Sequence, residues 1–271
     1  MKVRAVWGGR IRDVHEGPAW TPELLQSPHE AADKAPRVRR MFNAIAPRYE
    51  LVNTLFSAGR DAYWRRRAVE LADVRADDDV LDIACGTGDF ARAFAKARPR
   101  RVVGCDFAHQ MLIRAANASE RTALTNDRPV ACAPGSDWVE GDALHLPFRD
   151  GSFSIASCAF GVRNFADLNS GLREMFRVLR PGGRAVILEF TRPTNALVRC
   201  LYELYSNRLI PIAASWVSGD RSGAYRYLPR SVVSFLSADQ MCAKLHAVGF
   251  VQAAATPLSL GVVTVYIATR S

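Results

Sequence analysis

Val80-Leu-Asp-Ile-Ala-Cys-Gly-Thr-Gly-Asp-Phe90, followed by Arg101-Val-Val-Gly-Cys-Asp106, is the stretch whose reading decides the fold. An apolar run interrupted only by Asp82 breaks into Gly86 and Gly88, residues that reach backbone angles closed to others and let a ligand approach the main chain. The pattern reads as a strand turning into a helix around a small molecule. Twenty residues past Gly86, a second β-branched run ends in Asp106. A carboxylate at the C-terminal end of a strand can accept hydrogen bonds from both hydroxyls of a ribose. The two runs together predict a nucleoside site.

The identity of the nucleoside stays open at this level. A dinucleotide fingerprint wants a third glycine where this chain has Ala91, which only its looser form allows, and no phosphate-loop Lys-Ser/Thr is present. A tight turn without any ligand is the bland alternative. The acid at the expected offset weighs against it.

Composition sets the outer bounds. A chain of 271 residues, 49% of them hydrophobic, suits one large α/β domain. Cys85, Cys105, Cys132, Cys158, Cys200 and Cys242 form no C-x-x-C, and several lie in apolar runs where a thiol behaves as a small core residue. A reducing, cytoplasmic location and no metal site follow. Residues 1–20 contain no apolar signal core, and Leu209–Val217 is far shorter than the roughly 20 residues a membrane span requires. A soluble or peripheral protein is expected.

The net charge of +9 is concentrated. From Lys34 to Arg67 nine basic residues face only Glu50 and Asp61, so 9 − 2 leaves +7 there. Such a face suits an anionic membrane surface, or is simply solvated. No ribonucleoprotein motif accompanies it, which argues against nucleic acid.

Residues 1–35 are polar, Pro-containing and aperiodic, and read as a poorly ordered extension. Residues 36–271 read as one domain. Helical patterns span Val38 to about Arg48 and about Arg60 to Ala72, and should cap the sheet. Then strands at Val80–Ala84, Arg101–Cys105, Trp138–Glu140, Phe153–Ala159 and Arg184–Phe190 alternate with helices at Asp89–Ala97, His109 to about Glu120 and Leu168–Leu179. This cadence predicts parallel strands with crossovers on both faces. A long apolar segment, Leu197 to about Trp216, reads as a helix that either covers the sheet core or forms a lid, within a helical insertion at 195–230. A helix at Ser237–Val248 and strands near Phe250–Ala255 and Val262–Ala268 complete a mostly parallel seven-stranded α/β sheet.

Ligands of open α/β sheets bind beyond the carboxyl ends of the strands. That rule gathers Asp82, Gly86, Thr87, Gly88, Asp106, Asp142, Ala143 and Ala159 along one edge, with Asp142 placed to accept from an adenine amino group. Acids at three successive strand ends would repel one another unless a ligand or helix N-termini satisfy them.

The phrase D-x-A-C-G-T-G resembles that of S-adenosylmethionine (SAM) methyltransferases. Narrower markers are Met41-Phe-Asn-Ala-Ile-Ala-Pro-Arg-Tyr49, Phe160-Gly-Val-Arg-Asn164, Arg177-Val-Leu-Arg-Pro-Gly-Gly183, Leu188-Glu-Phe190 and Tyr225-Arg-Tyr-Leu-Pro229. On these, from about Arg37 to Ala268, the chain resembles the ubiquinone/menaquinone C-methyltransferase family (UbiE/MenG type), Rossmann-like class I methyltransferases. The resemblance implies SAM contacts at Thr87, Asp106, Asp142 and Ala143. Many members carry Ser where this chain has Ala159, and an Asp where it has Glu50. It also implies methyl transfer to a ring carbon of a polyprenyl quinol, demethylmenaquinol first and the methoxybenzoquinol of the ubiquinone pathway second.

The chemistry needs a ring made electron-rich by loss of a hydroxyl proton. Arg163, always charged, would stabilise the phenolate, and Asn164 with Tyr49 would hold a proton-accepting water. Against these roles, Arg163 could merely pair with a strand-end acid and Tyr49 could be core. Of the five histidines only His145 stands near the expected site. Readings from other classes are an NAD-dependent oxidoreductase and a non-catalytic SAM- or lipid-binding module. A homodimer is left open.

Overall fold

The computed structural model describes residues 4–5, 20, 24–29, 31, 33–49, 53–54, 57–125, 137–205 and 224–271. In chain order these form β1 (Arg4–Ala5), α1 (Lys34–Ile45), α2 (Asp61–Leu71), β2 (Asp79–Ile83), α3 (Asp89–Lys96), β3 (Arg101–Asp106), α4 (His109–Thr125), β4 (Asp137–Glu140) and β5 (Phe153–Ala159). The second half adds α5 (Leu168–Val178), β6 (Leu179–Phe190), α6 (Ala196–Leu204), α7 (Ala224–Val233), α8 (Ala238–Val248), β7 (Phe250–Leu258) and β8 (Val263–Arg270).

The sheet order is β1-β4-β3-β2-β5-β6-β8-β7. The expected seven strands are present, parallel from β4 to β6, with β8 antiparallel to both β6 and β7. The difference is an eighth, two-residue strand: Arg4 and Ala5 pair with Val139 and Glu140 of β4. The order reverses between β2, which leads to β3, and β5, so the strand ends diverge there into a crevice.

All five residues of β2 are buried, as a parallel strand covered on both faces requires. Alternation sends Val80 to the core under α2 and α3, with Trp64, Phe90 and Phe94, and sends Leu81 and Ile83 to the core under α5 and α8, with Leu172 and Met241. Asp82 shares the face of Val80. A third cluster packs α1 against α4 and α7 and includes Trp20 and Leu25, so these two residues of the 1–35 segment are buried rather than loose.

Element bounds shift for local reasons. The first helix starts at Lys34 and gives way to a 3₁₀ turn over Ala46–Arg48 where Pro47 lacks the N–H an α-turn needs. Asp167 caps α5 by accepting from the Asn169 and Ser170 amides. β7 runs on to Leu258 through Pro257, tolerated because β7 is an edge strand. Of the expected lid, α6 and α7 are described, and its middle, with Leu209 to Trp216, lies outside the described residues, as does Cys132. Among the described residues no helix is long and apolar enough to cross a membrane.

Candidate active site

β2 delivers the chain to the crevice through a strained turn. Ala84 sits at φ 53°, Gly86 at 55° and Gly88 at 82°. Positive φ is costly for Ala84, and Phe160 at the end of β5 repeats it at 57°; such outliers gather at ligand sites. Gly88 is the residue before α3, and a Cβ there would run into the Trp138 ring as well as forcing the wrong φ. Gly86 differs: a Cβ would meet only the Tyr49 ring, 3.7 Å away, so its open side faces that phenol.

Asp106 closes β3. Its Oδ2 accepts from Gly86 N and its Oδ1 from Ala108 N, both at 2.8 Å, which ties the two strand ends together. Burial pushes its carboxyl up to about 6. A carboxylate has about four lone-pair sites, so acceptor capacity remains for a ribose hydroxyl. Asp82 is wholly buried: Oδ1 accepts from Ser157 Oγ at 3.0 Å, while Oδ2 has no hydrogen-bond partner among the described residues. Burial pushes this carboxyl up to about 7. Asp142 accepts from Leu144 N at 2.9 Å, shaping the loop that presents Ala143.

A cavity of about 690 Å³, counting its mouth, lies over these strand ends. Tyr49, Gly86, Asp106, Asp142, Ala143, Ala159 and Asn164 all line it, and α1 contributes Val38 and Phe42. Asp82, Thr87, Gly88 and Arg163 do not line it. Thr87 Oγ1 bonds Asp89 at 3.1 Å. His145 is exposed and lies with Glu174 and Arg177 in a separate cleft.

Arg163 is 4% exposed and Glu189 not at all, and Nη1 meets Glu189 Oε1 at 2.5 Å. Nη1 also donates to Phe160 O at 2.8 Å, and Nε to Ser231 Oγ at 3.3 Å. The adjacent Asn164 gives Nδ2 to Phe160 O and receives the Tyr227 hydroxyl on Oδ1 at 3.0 Å. Tyr49 follows the 3₁₀ turn with its ring tilted against Phe42, and burial raises its phenol pKa. It remains a protonated donor.

Three residues escaped the sequence reading. Glu189 stood in a quoted motif without a role, and Tyr227 likewise. Lys34 was counted among surface charges, yet it is 3% exposed, as Arg37 (9%) and Arg65 (6%) are also buried. Arg65 pairs with Asp61 at 2.5 Å and Arg37 with Asp33 at 2.6 Å. The basic face is correspondingly thinner than the +7 suggested. Cys85, Cys105 and Cys158 are buried, whereas Cys200 is exposed.

Residues 30–270 match the ubiE/COQ5 methyltransferase family. The chain belongs to this family. It is a SAM-dependent methyltransferase, and the acid-lined cavity over the glycine turn is where the residues present fit that cofactor: an Asp106 carboxylate held by backbone amides at the cavity wall, and an open face at Gly86. Among relatives, a demethylmenaquinone methyltransferase of Deinococcus radiodurans is 43% identical over 80% of this chain and 86% of its own. One of Thermus thermophilus is 42% identical over 85% of this chain and all of its own. The ubiquinone/menaquinone biosynthesis C-methyltransferase UbiE of Geobacter sulfurreducens is 39% identical, covering 88% of this chain and 90% of its own. Among solved structures, a SAM-dependent methyltransferase of Thermotoga maritima superposes with TM-score 0.60 at 17% identity over 86% of this chain and all of its own, a likeness of fold.

Proposed function

We propose that this enzyme transfers a methyl group from SAM to a ring carbon of demethylmenaquinol, forming menaquinol. The observation that carries the reading is the 42% identity to the Thermus demethylmenaquinone methyltransferase along its whole length. The cavity supports it, because polar acids at the strand ends adjoin apolar walls from Val38, Phe42, Phe107 and Phe160 that suit a greasy ring.

When bound, SAM supplies a methyl group on a sulfonium, which an electron-rich ring carbon can take. Asp106 holds the ribose hydroxyls, and Asp142 with the Ala143 amide holds the adenine edge. Asn164 retains one amide hydrogen and one lone pair beyond its bonds to Phe160 and Tyr227, enough to orient a ring hydroxyl or a water that removes its proton. Tyr49 donates to the developing oxyanion. Arg163, anchored on Glu189, stands behind Asn164; the carboxylate offsets much of its charge, so its first task is to hold the 160–165 turn.

The exposed part of the basic segment, Arg39, Arg60 and Arg66, is the face we assign to an anionic membrane surface, where a lipid-soluble quinol resides. A second substrate, 2-polyprenyl-6-methoxy-1,4-benzoquinol, is favoured by the dual name of the Geobacter relative. Comparing kcat/KM for the two reduced substrates with matched tails tests the choice. A higher value for demethylmenaquinol is expected; a higher value for the methoxybenzoquinol would reassign the pathway.

A further inference from the structure

Lys34 is a buried cation whose partners among the described residues are all neutral. Its Nζ donates to the carbonyls of Arg163 at 2.9 Å and Phe165 at 2.6 Å, and lies 3.3 Å from His29 Nδ1. Among the described residues no carboxylate pairs with it. Those two carbonyls flank Asn164, which lines the cavity. His29 continues the network: Nε2 lies 3.0 Å from the Ser231 carbonyl on α7, and Ser231 Oγ accepts from Arg163. A carbonyl only accepts and an ammonium only donates, so the imidazole serves both partners as the tautomer with Nε2–H donating to Ser231 and Nδ1 accepting from Lys34. An ammonium has three donors and no acceptor, and three acceptors are arranged around this one. Burying a cation without a counter-charge is expensive, and an apolar residue at this site of α1 would avoid that cost.

We infer that Lys34 is a positioning residue for methyl transfer: from α1 it pins the carbonyls on both sides of Asn164 and so fixes the 162–165 turn at the cavity wall. The inference rests on the proposal that Asn164 meets the quinol. A charge dependence follows. Burial, followed by repulsion from Arg163, pushes the amine down to about 8. Among the described residues the groups facing it are His29, whose pKa is lowered by burial and by Lys34 and which is therefore neutral there, and Arg163, which stays paired with Glu189. Below about 8 the ammonium serves all three acceptors. Above it a neutral amine has two hydrogens for three acceptors, so one contact is lost and the turn loosens. Turnover should therefore fall as pH rises through that value, without a parallel loss of SAM binding.

The test uses Lys34→Met, which keeps the stem and removes every donor, together with hydrogen exchange on the wild type. Turnover of a short-chain demethylmenaquinol should drop roughly 10- to 100-fold, the scale of a misplaced catalytic group, with SAM affinity changed less than about threefold. The alkaline limb of the wild-type kcat profile should be absent from the variant. In wild-type protein, amides 161–166, corrected for intrinsic rates, should exchange faster at about pH 9 than at about pH 7, while α5 amides do not. Unchanged turnover in Lys34→Met, or a fall in turnover with 161–166 exchange identical to wild type, overturns the inference. If Lys34→Met does not fold, pH-independent exchange of 161–166 in the wild type overturns it and pH-dependent exchange supports it. Wild-type protein that makes no product from a demethylmenaquinol would sink the substrate reading instead, and the exchange experiment would then decide for Lys34 alone.

Discussion

The two ends of the cavity are built in opposite ways. At the cofactor end, Asp82 and Asp106 sit on adjacent strands with Gly86 in the turn after β2, and their positions follow from β2 and β3 pairing in register, Asp82 beside Gly104 and Ile83 beside Cys105. At the far end, the Arg163–Asn164 turn is held by groups from several separate segments: Phe160 after β5 and Tyr227 on α7 bond Asn164, while Lys34 on α1, Glu189 on β6 and Ser231 on α7 bond Arg163. The first is secondary structure carrying acids; the second is a network of buried polar contacts in which each member holds another. A local design tolerates loss of one member, and a network does not.

The largest effect should therefore come from Arg163→Ala. Removing one partner of a buried ion pair leaves Glu189 charged in the core, a cost of about 3–5 kcal/mol in stability, while replacing both partners with well-packed apolar residues costs far less. Thermal or denaturant unfolding of Arg163→Ala against Arg163→Met/Glu189→Leu checks this. Equal stability of the two variants would show that the pair is not the network's keystone. By contrast Asp106→Ala should keep the fold and lose roughly 1.5–3 kcal/mol of SAM binding, the range for hydrogen bonds to a charged group, read by calorimetry. Unfolding of Asp106→Ala, or unaltered SAM affinity, would erase the contrast between the two ends.

What could be read from the sequence divides along the same line. Asp82, Gly86, Gly88 and Asp106 are separated by a few residues or by one crossover, so strand periodicity and glycine chemistry suffice to place them together. Lys34 meets Arg163 across 129 positions and Tyr227 meets Asn164 across 63, and no local pattern announces such pairs. The same blindness inflated the basic face, because a count of charges cannot tell that Arg65 folds back onto Asp61 or that Arg37 packs over the Trp20 ring. Trp20 itself, stacked 4.3 Å from Tyr227, lies in a stretch too polar and aperiodic to suggest burial.

A smaller, graded effect separates the ends by pH. Asp106 and Asp82 have folded pKa values raised to about 6 and about 7. A raised carboxyl contributes stability that is full below its unfolded pKa and is lost as pH rises through the folded value, so the ligand-free protein should lose stability between about pH 4 and about pH 7 from these two groups. SAM binding needs the Asp106 carboxylate, so affinity should rise over the upper part of that window with protons released on binding. Titration calorimetry in buffers of different ionisation enthalpy reads the proton count; zero release near pH 6 would contradict the assignment of Asp106 to the cofactor. Smallest should be the surface effect: Arg60→Glu with Arg66→Glu should weaken binding to anionic vesicles at low salt and leave turnover of a short-chain quinol unchanged. Equal binding of both proteins would mark these arginines as merely solvated.

The most direct measurement is a single turnover with excess wild-type enzyme, labelled SAM and a short-chain demethylmenaquinol kept reduced, with both products identified. One labelled methyl on the quinol ring carbon per molecule of S-adenosylhomocysteine formed is expected, with the rate cut by Asn164→Ala at nearly constant SAM affinity. SAM bound tightly with no label reaching the ring, or label on a ring oxygen, would contradict it.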